Sequence, residues 1–491
     1  MIKRYLYFKS KDPYKTDNSS QWKRKTLIAS FVPFSLILFL IGTTINNNDL
    51  HKLPLLKNGT FVTKGEFVDN IRIDSTQNGY FALATYGGGL KANVWTMNIL
   101  HELRSRKHGD KLFQSLLCAS GASGGTLGIG CYTMINSHTD VEDGAIQRKY
   151  IDSISRMNAL SSDISGWLWK DLIREILPNG LIWNDGNDRA HESMLNYSLR
   201  GESDSGTIVK ETFREYWRKV YDRKDHFYPA IIVNTTPTRS RYGVACSVEG
   251  FDRFPIMIDI LDHEDKSLSF GGAISTSNRF PLFSPAARIE GKGHFVDGGM
   301  FENSGLMNAL SFYQELQTEL KENQQRDSLF VINIMNDQTN FILNIASIAD
   351  EMKDHNAIEP YSAEWSAIGL GLAAQERMPY FFREKIQNDP KTILLTINMP
   401  FIITEDNVKK AYHTTADLPS RVKVEIKSEN MKIIQALQEH DLYDYENWGI
   451  VEPPLGRLMS LPAVEYQKAM IKNHEDVKSS IDAIMKKIVV Q

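Results

Sequence analysis

The chain has three cysteines in 491 residues, Cys118, Cys131 and Cys246. They are too few and too scattered for a disulfide framework or a zinc site. Cys118 and Cys131 flank a glycine-rich stretch, where they read as small apolar packing residues. Charge of one sign is also lacking: 56 Lys and Arg face 60 Asp and Glu, a formal net charge of −4, which indicates no nucleic-acid-binding surface. The P-loop pattern and the dinucleotide-binding GxGxxG pattern are both missing, so a phosphate or nucleotide site has no sequence support. No aspartate cluster has calcium-loop spacing, and no internal repeat or low-complexity tract is present. What remains is an ordinary globular composition, 42% hydrophobic and 24% charged, at a length that one large α/β unit with insertions could use.

Charge is absent from one stretch in particular. Residues 26–48 carry no charged side chain, and within them 27–45 is a run of 19 residues, LIASFVPFSLILFLIGTTI. A helix needs about 20 mostly apolar residues to cross a bilayer, so a transmembrane helix is expected over 27–45, with a buried core helix as the alternative. Eight basic residues (Lys3, Arg4, Lys9, Lys11, Lys15, Lys23, Arg24 and Lys25) precede the run and three (Lys52, Lys57 and Lys64) follow it, which puts the N-terminus in the cytoplasm and the rest across the membrane. The expected layout is a basic segment at 1–26, a membrane helix at 27–45, a turn-rich linker at 46–75 and a catalytic domain at 76–491.

In that domain, Leu112 to Ser137 reads as an apolar strand over Leu112–Ala119, a turn at Gly121-Ala122-Ser123-Gly124-Gly125, and a helix carrying Leu127, Cys131, Met134 and Ile135. A serine on such a turn is lifted above a sheet edge, and Gly121 and Gly125 occupy the positions where strand and helix pass closely. The helix after it directs its positive end at the serine oxygen. The same residues also suit an ordinary strand-to-helix turn, and the motif alone does not separate the two.

Upstream, the strand-like Tyr80–Tyr86 runs into Gly87-Gly88-Gly89 and then a helical pattern at Leu90, Val94, Met97 and Leu100 to Leu103. Such a loop offers backbone N–H groups at a helix N-terminus, suited to an anion or to the oxyanion of a tetrahedral intermediate. Lys91 adds a cation nearby. Downstream, Asp297 ends a short strand, His294–Asp297, and precedes Gly298-Gly299; a turn is the usual meaning of that pair. His294 lies three residues earlier and should face the opposite side of the strand. Residues 140–225 read as a helical cap holding Trp167, Trp169, Trp183 and Trp217, either core or a lipid-facing lid. Leu329–Met335 and Thr392–Phe401 read as further buried strands, Trp365–Ala374 as a core helix or site wall, and Leu461–Val490 as one or two terminal helices.

In order, YGGGLK at Tyr86–Lys91, GASGG at Gly121–Gly125 and DGG at Asp297–Gly299 resemble the patatin-like phospholipase family, kin to cytosolic phospholipase A2. DRAHESML at Asp188–Leu195, RFPLFSPAAR at Arg279–Arg288 and PLGRLMS at Pro454–Ser460 extend the resemblance over about 76–460. It implies a three-layer α/β/α domain with a central, mostly parallel sheet, and a Ser-Asp dyad without histidine. Ser123 would be the nucleophile, Asp297 the base, and Gly87, Gly88 and Gly89 the oxyanion hole. Two positions depart from the family's habit: Lys91 stands where arginine is common and Ala92 where glycine is common. The activity so implied is hydrolysis of phospholipid or other acyl-lipid esters at a membrane, with no cofactor or metal; a soluble-ester esterase or thioesterase, or a silent membrane-anchored scaffold, are the other readings. The sequence leaves the oligomeric state open.

Overall fold

A computed structural model describes residues 33–37, 51–71, 79–139, 143–158, 207–224, 228–239, 242–251, 257–261, 265–280, 284–352, 382–383, 385–386 and 388–488. The chain divides into two compact units. One is Met1–Leu50 with Ser165–Gly186, of which 33–37 is described; the other is His51–Ile164 with Asn187–Gln491. The sheet and the helices around it belong to the second unit.

Its centre is a nine-stranded sheet. Numbered along the chain, the strands are β1 (Gly79–Thr85), β2 (Leu116–Gly121), β3 (Ala230–Pro237), β4 (Tyr242–Cys246), β5 (Met257–Asp259), β6 (Ala287–Ile289), β7 (Gly293–Asp297), β8 (Ser328–Met335) and β9 (Thr392–Asn398). The spatial order is β6-β7-β3-β2-β1-β8-β9, with β4 on β3 and β5 on β4. From β3 to β9 the neighbours are parallel; β6, β7 and β4 add antiparallel pairs. Every residue of β1 and β2 is buried, as parallel strands covered on both faces require. Among the covering helices, α1 (Gly89–Ser105) packs on α2 (Gly124–His138), while α2 and the helix Leu306–Gln317 both pack on β2. The fold is therefore α/β with a mostly parallel sheet flanked by helices.

Several expectations change here. Leu112 and Phe113 are not strand: they lie in a short buried helix, Gly109–Ser115, and β2 begins only at Leu116. A short apolar run is the same in sequence whether it is a buried strand or a buried helical turn. Where it is described, over 51–71, the 46–75 segment is no free tether. Leu55–Lys57 pairs with Lys266–Leu268, Val62–Thr63 pairs with Val248–Glu249, and the fully buried Phe67 ring sits 6.1 to 6.3 Å from the rings of Trp217, Tyr221 and Phe312. Trp217 is core, its indole N–H donating to the Pro229 carbonyl at 2.9 Å.

The transmembrane helix, and with it the single-pass placement and its topology, is corrected. Among the described residues no helix is long and apolar enough to cross a membrane. Of the apolar run, only 33–37 is described, as five helical residues. An uncharged run meets the composition of a span, and composition alone does not establish one. The rest of the run lies outside the described residues, as do Trp167, Trp169, Trp183, Asp188–Leu195 and Trp365–Ala374. Of the cap, helices Gly144–Ser155 and Phe213–Arg223 are described. The terminal segment is a pair of helices, Leu461–Asn473 and Glu475–Ile488.

Candidate active site

Ser123 follows β2 by two residues and immediately precedes α2, at φ 50° and ψ −123°. A non-glycine residue at positive φ is held there against its own steric preference, as at a nucleophile elbow. The turn has no room for larger neighbours. A Cβ on Gly125 would lie 2.5 Å from Thr85 Oγ1, and one on Gly124 would lie 1.9 Å from the carbonyl oxygen of Gly89. The Ser123 backbone N–H donates to Ser277 Oγ at 2.9 Å, and Ser277 Oγ is 3.0 Å from Thr126 Oγ1. Ser277 thus pins the turn from a distant segment.

The sheet register explains how Asp297 reaches the serine. β2 pairs with β3 up to Gly121 opposite Val233, and then the chain leaves the sheet. β7 pairs with the same edge of β3 just beyond, with Asp297 opposite Thr235. Ser123 is two residues past Gly121 and Thr235 is two past Val233, so serine and aspartate meet at one level. The Ser123 hydroxyl donates to Asp297 Oδ2 at 2.7 Å, across 174 residues of sequence. The other carboxylate oxygen, Oδ1, accepts the Gly299 N–H at 2.8 Å, and the Asp297 N–H donates to the Arg279 carbonyl at 3.0 Å. Ser123 is 8% exposed and Asp297 2%.

Burial pushes the Asp297 carboxyl up to about 6, against the hydrogen bonds from Ser123 and Gly299 and the charge of Arg457. The group therefore holds a proton more tightly than a surface carboxylate and is a better base, while still ionised at neutral pH. His294 lies on the same strand as Asp297, opposite Arg288, and its carbonyl accepts the Thr238 N–H. Among the described residues, Asp297 is the only side chain bonded to Ser123 Oγ.

The three glycines before α1 stand beside the elbow but are not equivalent. The Gly87 N–H donates to the Asn303 carbonyl at 3.0 Å, so Gly87 has no donor left for an oxyanion, contrary to the expectation of three amides. A Cβ on Gly87 would come within 3.0 Å of Ser123 Cβ, so this glycine serves close approach. Gly88 and Gly89, at φ 148° and 62°, show no backbone acceptor for their N–H groups among the described residues, and neither does Gly124, the residue after the serine. The Gly124 amide was not singled out from sequence, although its place directly after the serine was the available signal. Lys91 is not part of the cradle: its ammonium lies 5.0 Å from the centroid of Phe401, and burial lowers its pKa against the opposing charges of Asp337 and Glu452.

Segments noted as motifs also converge. The Leu90 N–H donates to the Gly456 carbonyl at 2.8 Å, which seats the Pro454–Ser460 loop on the glycine turn. Arg457 then reaches the Asn278 carbonyl at 3.1 Å and Ser284 Oγ.

No family model and no curated protein matches the chain. Solved structures do. The chain is similar to human GIVD cytosolic phospholipase A2 in complex with methyl gamma-linolenyl fluorophosphonate, with TM-score 0.41 and 12% identity over 87% of this chain and 61% of that one. The same human protein without that ligand gives TM-score 0.38 and 10% identity over 87% and 63%. VipD from Legionella pneumophila gives TM-score 0.27 and 12% identity over 89% and 88%. The chain thus spans about three fifths of the length of the human structures.

Proposed function

We propose that this chain is a hydrolase of acyl-lipid esters that works through a Ser-Asp dyad and an acyl-enzyme. The observation that carries the reading is the 2.7 Å hydrogen bond from Ser123 Oγ to the buried Asp297 Oδ2, at a serine held on a strained turn ahead of a helix. Ser123 Oγ attacks the ester carbonyl carbon while its proton passes to Asp297 Oδ2. The negative charge that forms on the carbonyl oxygen meets the N–H groups of Gly88, Gly89 and Gly124 at two adjacent helix N-termini, each such donor being worth about 3 kcal/mol in the transition state. Collapse breaks the C–O bond, the alcohol leaves with the proton from Asp297, and a water deprotonated by the same carboxylate releases the acid and restores the serine. Gly299 holds the oxygen that does not move a proton, so the carboxylate keeps its orientation through both steps.

The lipid part of the reading rests on the joint occurrence and order of YGGGLK, GASGG and DGG. A fluorophosphonate probe tests the chemistry: labelling of the folded chain should be lost in Ser123→Ala, and a folded wild-type chain that resists the probe would sink the proposal. Rates on micellar against monomeric esters of one acyl chain test the substrate class, and a preference for the monomer would leave an esterase instead.

A further inference from the structure

Apart from the dyad residues, three helices of the second unit meet at a polar corner: α3 (Ser420–Gln438), α4 (Leu461–Asn473) and α5 (Glu475–Ile488). His474 is the residue between α4 and α5. Its backbone is fully engaged, the N–H donating to the Met470 carbonyl and the C=O accepting from Lys478 N–H, both at 3.1 Å. Its side chain is not. The residue is 1% exposed, and among the described residues neither Nδ1 nor Nε2 has a hydrogen-bond partner. A neutral imidazole has one donor and one acceptor, and leaving both unmet in the interior is unfavourable.

The ring is orphaned beside two carboxylates. One oxygen of Glu429 from α3, one oxygen of Asp476 from the first turn of α5 and a ring nitrogen of His474 all lie within 4.8 Å of one another. The Lys432 ammonium bridges the two acids, 2.8 Å from Glu429 Oε1 and 3.0 Å from Asp476 Oδ2. It neutralises charge, but it leaves the imidazole unbonded. A divalent cation would neutralise the same pair and also take the imidazole lone pair.

We infer that Glu429, His474 and Asp476 form a site for a divalent first-row metal ion, Zn²⁺ in the first instance, which competes with the Lys432 ammonium. The donor set of one imidazole and two carboxylates suits such an ion, and three protein ligands leave a position for water. The ligands must draw in from the present separation, since bonds of about 2.0 to 2.2 Å place neighbouring donors nearer 3.3 Å apart. Asp476 and Lys432 can supply that movement, their side chains being 52% and 29% exposed. A bound ion would join three helices at the corner and stabilise the folded chain in proportion to its occupancy. It has no part in the acyl chemistry at Ser123.

The test is equilibrium binding of Zn²⁺ to the chelator-treated full chain, with thermal unfolding and the visible spectrum of the Co²⁺ form as parallel readouts. Wild type should bind one equivalent that His474→Gln loses, together with the metal-induced rise in Tm and the nitrogen-ligated Co²⁺ band. Asp476→Asn, a surface change that spares the fold, should weaken binding by roughly tenfold or more. Lys432→Gln should tighten it, because the competing cation is gone. Equal stoichiometry and affinity in wild type, His474→Gln and Asp476→Asn would overturn the assignment, as would a wild-type chain that takes up no Zn²⁺ or a Lys432→Gln chain with unchanged affinity.

Discussion

Two strand–turn–helix units stand side by side at the centre of this molecule. In one, β1 passes through Tyr86, Gly87 and Gly88 into α1; in the other, β2 passes through Ala122 and Ser123 into α2. The strands are parallel neighbours with wholly buried side chains, and each helix is preceded by a residue at positive φ, Gly88 at 148° and Ser123 at 50°. The first turn meets this demand with glycine and contributes backbone N–H groups. The second holds a serine there and contributes a hydroxyl. Strain is accepted where a side chain is placed and avoided where only amides are, so in the proposed mechanism the two turns divide nucleophile and cradle between them.

The sharpest way to break this division is at the dyad. Ser123→Ala and Asp297→Asn should each lower kcat/KM by about 10⁴-fold or more, measured on one ester substrate with circular dichroism to show the fold intact. Asp297→Asn should differ from Ser123→Ala in stability. The Asp297 carboxyl titrates at about 6 in the fold against an ordinary 3.8, so its contribution to stability is fully present below pH 4 and is lost as pH rises through 6. Removing the charge should then stabilise the chain by up to about 3 kcal/mol at pH 8 and by little at pH 4, checked by denaturant melts at both values. Wild-type kcat/KM should rise tenfold per pH unit below about 6 and level off above it, as a base with that pKa requires. A rise centred well above 6 would point to a different base.

The close approach of the two units comes next. Gly124→Ala would set a Cβ 1.9 Å from the Gly89 carbonyl, and a loss of about 3 kcal/mol is expected in thermal or denaturant unfolding. Gly144→Ala, at a helix start with open space around it, is the control and should gain a few tenths to about 1 kcal/mol. Smaller than the Gly124 effect is that of Ser277→Ala, which removes the acceptor of the Ser123 N–H. It should lower kcat by roughly tenfold, about 1.4 kcal/mol, with KM little changed, because it loosens the turn without touching substrate. A change in KM alone would mean that Ser277 lines the binding surface and does not hold the turn.

Much of this was legible in the residues. The strands at Gly79–Thr85 and Ser328–Met335 are mostly apolar runs, a pattern that parallel burial imposes on sequence. The glycine turns were visible because only glycine tolerates the crowding there. Other features left no mark. Leu112 and Phe113 are apolar whether helical or extended. The 46–75 segment has a linker's composition, yet Phe67 finds an aromatic pocket made by residues far along the chain. The uncharged run at 27–45 has a span's composition, but among the described residues no helix is long and apolar enough to cross a membrane.

By itself the sequence determined the character of the parts: a serine and an aspartate beside glycines, two strand–glycine–helix units, and a chemistry without nucleotide or phosphate motifs. These depend on local sterics and hydrogen-bonding capacity, which each residue carries wherever it lies. Only the tertiary structure decided which donors and acceptors meet. It set Asp297 opposite Thr235, two residues beyond the place where β2 leaves β3, and so within 2.7 Å of Ser123. It gave the Gly87 amide to Asn303 and, among the described residues, left Gly88, Gly89 and Gly124 without backbone acceptors and the buried His474 ring without a hydrogen-bond partner. A hydrogen bond acts over about 3 Å, and which groups come that close is a property of the register and packing of the whole sheet.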